Sequence, residues 1–146
     1  MTQEEKQLLL QDLCGRLPFE ICANLPNHHL VSHKYVIYDI NIQNGWTTGL
    51  LDCAGRIQIY SAKVEDIKPY LRPMSSMTKE EKETYYNLCF EEEREEYEFG
   101  DWVNRVHYHD TIDSIDYLNS IHIDYRDLIP KGLAIKVTKE NNPYKD

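Results

Sequence analysis

The sequence predicts an α+β fold: an N-terminal helix, a small curled antiparallel sheet or SH3-like barrel of about four strands, then two helices and a short closing strand. Three observations carry this reading. Between Phe19 and Tyr60, short runs of β-branched and aromatic residues alternate with turn signals. From Thr78 onward the chain is acidic and rich in helix-forming residues. Between these regions lies Pro69-Tyr70-Leu71-Arg72-Pro73, in which each proline fixes its own φ and pushes the preceding residue out of the α region.

The first helix starts at Thr2, which with Glu5 spells a capping box: each side chain satisfies a backbone N–H that the first turn leaves without a partner. Leu9, Leu10, Leu13, Cys14 and Leu17 share one face at helical spacing, Gly15 suits a C-cap, and Pro18 bars continuation. Phe19 to Cys22 reads as a short strand and Asn24-Leu25-Pro26-Asn27 as a turn. Tyr35 to Ile42 is a stronger strand, and Asn44-Gly45 is a hairpin signal that returns the chain along Trp46 to Asp52. Ala54-Gly55 makes a second turn, after which Arg56-Ile57-Gln58-Ile59-Tyr60 alternates polar and apolar residues. Val64 to Ile67 forms a single helical or 3₁₀ turn. The segment Pro69 to Met77 should then pack across the sheet and link the halves.

Thr78 and Glu81 spell a second capping box, opening a helix that runs to about Glu98. Its first half is apolar through Tyr85, Tyr86, Leu88, Cys89 and Phe90. A third helix starts near Asp110 or Thr111, with Ile112, Ile115 and Leu118 at helical spacing. Residues 121–129 read as compact connections and Leu133 to Val137 as the last strand. One domain spans residues 1–146: a β-rich half 1–68, a proline-bracketed junction 69–77, an acidic helical half 78–138, and a frayed polar tail 139–146.

Charge narrows the function classes. The chain carries a formal −9, and residues 1–76 hold 8 acids and 7 bases (net −1) against 17 and 9 (net −8) in residues 77–146. An acidic surface without a Lys/Arg cluster repels phosphate backbones and anionic membranes, so neither nucleic acid nor membrane is an expected partner. No apolar run approaches the roughly 20 residues of a membrane span, and Met-Thr-Gln-Glu-Glu-Lys lacks the basic and apolar parts of a signal peptide, so a cytoplasmic location is expected. Cys14, Cys22, Cys53 and Cys89 show no metal or redox spacing and read as four small buried hydrophobes.

The candidate chemistry is sparse. His28, His29 and His33 lie in a polar stretch after Pro26, where a loop is the better reading than a zinc-binding helix face. In an extended chain His107 and His109 would point the same way, and Asp113 or His122 would complete a three-ligand metal site; that defines a metal-dependent hydrolase with a metal-bound water as nucleophile. Asp110, Asp113 and Asp116 recur every three residues without a phosphate loop, as acids favoured in a first helical turn do. No local Ser or Cys nucleophile signature occurs, and no cofactor is called for. Eleven tyrosines are many for this length, and Tyr85, Tyr86, Trp102 and Tyr108 are the surface expected to meet a partner. Arg56, Arg72, Arg105 and Arg126 are the groups that would have to converge on phosphate in a nucleotide-binding sponge. For Arg72, held between two prolines, pairing with an acid of the same chain is the stronger expectation: a brace between the sheet and the second helix.

Asp12-Leu13-Cys14-Gly15-Arg16-Leu17-Pro18, Ile67 through Thr78, Ile115-Asp116-Tyr117-Leu118-Asn119 and Asp124 through Ala134 together resemble a family of short proteins of gut anaerobes and their phages and prophages. Asp127 stands where members of that family tend to carry glycine. The resemblance brings no catalytic residue. It implies a mobile-element setting, in which a small accessory protein acts by binding a host or phage protein. The function expected is therefore a non-enzymatic interaction protein, with the nucleotide sponge and the metal-dependent hydrolase as alternatives.

Overall fold

A computed structural model describes residues 1–25, 34–53, 55–89 and 112–144. In chain order these form α1 (Gln3–Arg16), β1 (Ile21–Asn24), β2 (Lys34–Asn41), β3 (Trp46–Cys53), β4 (Arg56–Lys63), a 3₁₀ turn (Val64–Asp66), β5 (Lys68–Pro73), a second 3₁₀ turn (Met74–Ser76), α2 (Lys79–Cys89), α3 (Ile112–Ser120), β6 (Ile123–Asp124) and β7 (Ile135–Lys136). The α+β class holds, with an open sheet rather than a closed barrel, in the order β4-β3-β2-β1-β5-β6 and with β7 also on β5.

Both helix starts follow the capping boxes. Thr2 N–H donates to Glu5 at 2.8 Å and Glu5 N–H to Thr2 at 3.0 Å; Thr78 and Glu81 repeat the exchange at 2.8 and 3.1 Å. The other end of α1 differs from expectation. Gly15 lies inside the helix and Leu17 is the C-cap. There Gly15 offers its carbonyl to the Asn119 amide of α3 at 3.1 Å.

β2, β3 and β4 form an antiparallel meander. The β2–β3 connection is a wider turn than a two-residue hairpin: Asn41 accepts at its carbonyl from Gly45 N–H at 2.9 Å, and its side chain accepts from the Gln43 and Asn44 amides. Gly45 takes φ +74°, the left-handed region glycine occupies freely. The β2–β3 register shifts between Ile37 and Asp39, so Tyr38 is bulged out and exposed. Gly49 faces Ile37 beside that bulge, where an added Cβ would stand 2.3 Å from the Val36 carbonyl oxygen; only glycine lets the strands come this close.

The largest correction concerns the proline segment. Residues 68–73 do not cross over the sheet; they are β5, a strand inside it. β5 runs antiparallel to β1 (Ala23 opposite Pro69) and parallel to both β6 (Arg72 opposite Ile123) and β7 (Tyr70 opposite Ile135). Arg72 N–H donates to the His122 carbonyl at 2.7 Å, and the Leu71 carbonyl accepts from Val137 N–H at 2.8 Å. Consecutive residues of a strand turn their backbone groups to opposite sides, so β6 and β7 lie on opposite edges of β5. The short closing strand is thus present, as β7, and residues 123–124 add a strand where a connection was expected.

Residues 138–144 correct the expected frayed tail. Tyr144 returns to the sheet and fills the gap where β1 and β5 part: Cys22 N–H donates to its hydroxyl at 3.3 Å, and the hydroxyl donates to the Tyr70 carbonyl at 2.8 Å. Its ring stacks on His122, with centroids 3.5 Å apart and planes 9° from parallel. The turn after β6 is set by Asp124, whose buried carboxylate accepts from the Leu128 and Ile129 amides at 2.9 and 2.8 Å. Asp127 has φ +58°, a region aspartate tolerates better than most residues and glycine takes without strain.

Among the described residues two apolar cores result. Leu9, Leu10 and Leu13 of α1 pack on Ile21, Tyr35, Ile37, Leu51, Val64, Ile67 and Leu71 beneath one face of the sheet. Tyr85 and Tyr86 of α2 pack on Met77, Leu118 and Ile123. Of the cysteines, Cys22 is buried as expected, while Cys14 and Cys89 are only half-buried.

Candidate functional site

The two faces of the β2–β4 meander are built from alternating residues of the same strands. The inner face carries Tyr35 opposite Leu51, both fully buried, and then Ile40 opposite Thr47, itself opposite Ala62. Its polar atoms are paired: Thr47 hydroxyl donates to the Ala62 carbonyl at 2.9 Å and the Tyr35 hydroxyl to the Tyr60 carbonyl at 3.1 Å. The outer face carries the alternate residues. Register places Val36, Leu50 and Ile59 in one row across the three strands, with Ile57 next along β4. Ile57 and Ile59 are 69% and 70% exposed and Leu50 41%; Tyr38 and Trp46 are exposed on the same meander, Trp46 with the Lys63 ammonium 5.6 Å from its ring centre. Apolar side chains exposed side by side on neighbouring strands differ from the scattered single ones that are ordinary on a protein surface.

The groups singled out by residue type are placed differently. Arg72 is the brace expected of it. Its guanidinium grips the Glu81 carboxylate with two bonds of 2.8 Å, and it also donates to the Ser76 carbonyl at 3.0 Å, the Ser76 hydroxyl at 3.3 Å and the Ile121 carbonyl at 3.4 Å. These bonds occupy the donors that a phosphate would need. Arg72 holds the Glu81 carboxyl down to about 2, while its own pKa is raised by the same bond. Glu81 therefore closes both the α2 cap and the link to β5.

Arg126 belongs to a second cluster. Asp12 and Arg16 of α1 form a bidentate pair of 2.7 and 3.0 Å, and Arg16 reaches on to the Ile123 carbonyl at 2.7 Å. Arg126 lies 3.6 Å from the same carboxylate, an ion-pair distance too long for a hydrogen bond, and both guanidiniums sit 5.3 Å from the Tyr125 ring centre. Arg56 is exposed at the start of β4, far in register from either cluster. Among the described residues the named arginines thus do not converge.

Tyr85 and Tyr86 are buried in the second core, which removes them from the expected partner surface: α2 turns them toward α3. Trp102, Arg105, Tyr108, His107 and His109 lie outside the described residues, as do His28, His29, His33 and Asp110. Asp113 and Asp116 are exposed on α3, and among the described residues no group of three or more His, Cys, Asp or Glu side chains is placed to hold a metal ion. His122 is taken up in the stack on Tyr144, where burial, and then the charges of Arg16 and Arg72, bring its pKa down to about 4. Cys22, donating to Glu20 at 3.3 Å, is pushed up to about 12 by burial, so its thiol stays protonated and unreactive. Among the described residues no helix is long and apolar enough to cross a membrane.

Sequence reasoning missed the outer face because alternation along β4 reveals two faces without saying which is covered. The exposed row is found only once Leu50 and Ile59 are known to be partners. The chain matches no protein-family model, no curated protein and no solved structure.

Proposed function

We propose that this protein is a non-enzymatic interaction module that binds a protein partner through the outer face of the β2–β4 meander, as an accessory factor of a mobile element. The observation that carries the reading is the Val36–Leu50–Ile59 row with Ile57 beside it, in which Leu50, Ile57 and Ile59 are exposed while Tyr35, Ile37, Leu51 and Ala62 of the opposite face are buried in the core. The polar side chains best suited to chemistry support it from the other side, since Arg72 and Cys22 are both committed to internal bonds. The mobile-element setting rests on the family resemblance and on a host or phage protein as the natural target of such a factor.

The test is affinity capture from host lysate with the wild-type chain and with Leu50→Asp, which places a charge in the middle of the row and leaves the inner face untouched. A specific partner retained by the wild type and lost with Leu50→Asp is the expected outcome. Capture indifferent to Leu50→Asp, in a variant with unchanged circular dichroism, ends the reading.

A further inference from the structure

β4 has a second property beyond its apolar side chains. All eight of its residues pair with β3, from Trp46 opposite Lys63 to Cys53 opposite Arg56, and no described strand pairs with its other side. The Val64 N–H bond to the Gly45 carbonyl at 2.9 Å sets the phase of this ladder. Hydrogen-bonded pairs alternate with non-bonded ones, so Ile57, Ile59, Ser61 and Lys63 turn their backbone N–H and C=O groups to the open edge. Sheet edges are ordinarily blunted by proline, a bulge, an inward charge or a short strand. β4 has no proline, keeps an unbroken register and carries its two charges at its ends, Arg56 and Lys63.

From this edge we infer that β4 accepts an extended segment of a partner protein as an added strand, and that the segment is apolar at alternate positions with acidic residues at its ends. The inference rests on the interaction-module reading and names the partner's chemistry. Charge complementarity selects the occupant. Residues 56–63 carry two cations and no acid within a chain of net −9, so an acidic-ended strand places its charges on Arg56 and Lys63. A second copy of this chain would instead bring another Arg56 and Lys63 to the same edge. The added strand takes its main-chain bonds from the Ile57, Ile59 and Ser61 edge groups and extends the outer apolar row by one strand, so affinity comes from the backbone and selectivity from alternate side chains.

The probe is a synthetic peptide of about nine residues, alternating valine and threonine, with aspartate at both ends; the control carries lysine there. Binding is read by fluorescence anisotropy at low ionic strength, and the site by amide hydrogen exchange. The acidic-ended peptide is expected to bind at least about tenfold tighter than the control, with new protection at the Ile57, Ile59 and Ser61 amides. Ser61→Pro removes one edge-facing donor without touching a backbone bond to β3, losing only the long Ser61–Thr48 hydroxyl contact of 3.5 Å, and should abolish that protection. R56E/K63E keeps the edge and should invert the preference between the two peptides, so the inference stays falsifiable if the proline variant fails to fold. Equal affinities, a preference unchanged in R56E/K63E, or a concentration-dependent dimer lost with Ser61→Pro overturns it. A lysate partner lost with Leu50→Asp but bound without protection of the edge amides leaves the interaction-module reading standing and overturns strand addition alone.

Discussion

At the junction of α1 with α3 the Asp12 and Arg16 side chains are 0% and 1% exposed; at the junction of β5 with α2, Arg72 and Glu81 keep 23% and 17% of their surface in solvent. Both are bidentate carboxylate–guanidinium pairs, and both tie a helix to distant backbone: Arg16 to the Ile123 carbonyl, Arg72 to the Ile121 carbonyl. What differs is the cost of breaking them. A sealed pair has already lost its hydration, so deleting one partner strands the other charge in a medium that cannot solvate it. A partly wet pair falls back on water. Two clusters of the same chemistry therefore make opposite demands on substitution.

The strongest way to break the comparison is Asp12→Ala, which leaves the Arg16 guanidinium buried without its carboxylate and Arg126 without its ion pair. A loss of about 3–5 kcal/mol is expected in urea unfolding. Replacing both partners by apolar residues of similar size, Asp12→Leu with Arg16→Met, should recover most of that loss. If the single change costs under about 1 kcal/mol, the sealed pair behaves like the wet one and the distinction fails.

Glu81→Ala comes next. It removes the Glu81 half of the α2 capping box, leaving the Thr78 hydroxyl cap in place, and the charge-assisted bonds to Arg72, for a total of about 2 kcal/mol. Arg72→Ala should cost less than Glu81→Ala, because it spares the capping box. The two changes combined should cost less than their sum, and strict additivity in the double-mutant cycle would show that the pair contributes nothing.

Acid titration separates the same junction from the Tyr144 stack. Glu81 is held down to about 2, below its unfolded value, so the folded chain binds fewer protons than the unfolded one between roughly 4.5 and 2. Its contribution is complete above that window and is lost as pH falls through it. His122, brought down to about 4, works at higher pH: stability declines as pH falls from about 6.5 toward 4, because the unfolded histidine gains a proton the folded one excludes. His122→Asn, which tolerates the observed φ of +64°, should flatten the upper window and leave the lower one intact. A chain whose stability is flat between pH 4 and 6.5 contradicts this placement of His122.

Tyr144→Phe should cost about 1–2 kcal/mol by unfolding, since it leaves the Cys22 amide without its acceptor. Ile59→Thr on the outer face should stay within about 0.5 kcal/mol. A larger loss there would mean that the exposed row is holding the fold together.

Much of this architecture was legible from local chemistry. Capping boxes at Thr2 and Thr78, the turns at Asn44-Gly45 and at Gly55, and the Arg72 brace each follow from residues within about ten positions of one another. The largest misses share one property: they depend on partners far along the chain. The segment from Pro69 reads as one packed across the sheet, yet it enters the sheet as β5: Pro69 stands next to the start of the strand and Pro73 at its end, the positions where a sheet tolerates a residue with no N–H. Tyr85 and Tyr86 looked like surface until α3 covered them. Asp12 and Arg16 sit at i,i+4 like any solvent pair, and their burial follows only from contact with residues 119–126.

Tyr144 joins strands formed by residues 21–24 and 68–73, and Arg16 is bonded to a carbonyl more than a hundred positions away. On the ribosome this imposes a timetable. The β2–β4 meander closes through neighbours in sequence and is free to form as it emerges, whereas α1 must wait for residues 119–126 before the Arg16 guanidinium finds its carbonyl. The meander that bears the open edge is thus complete in its own pairing within residues 34–63, before residues 119–144 have been made.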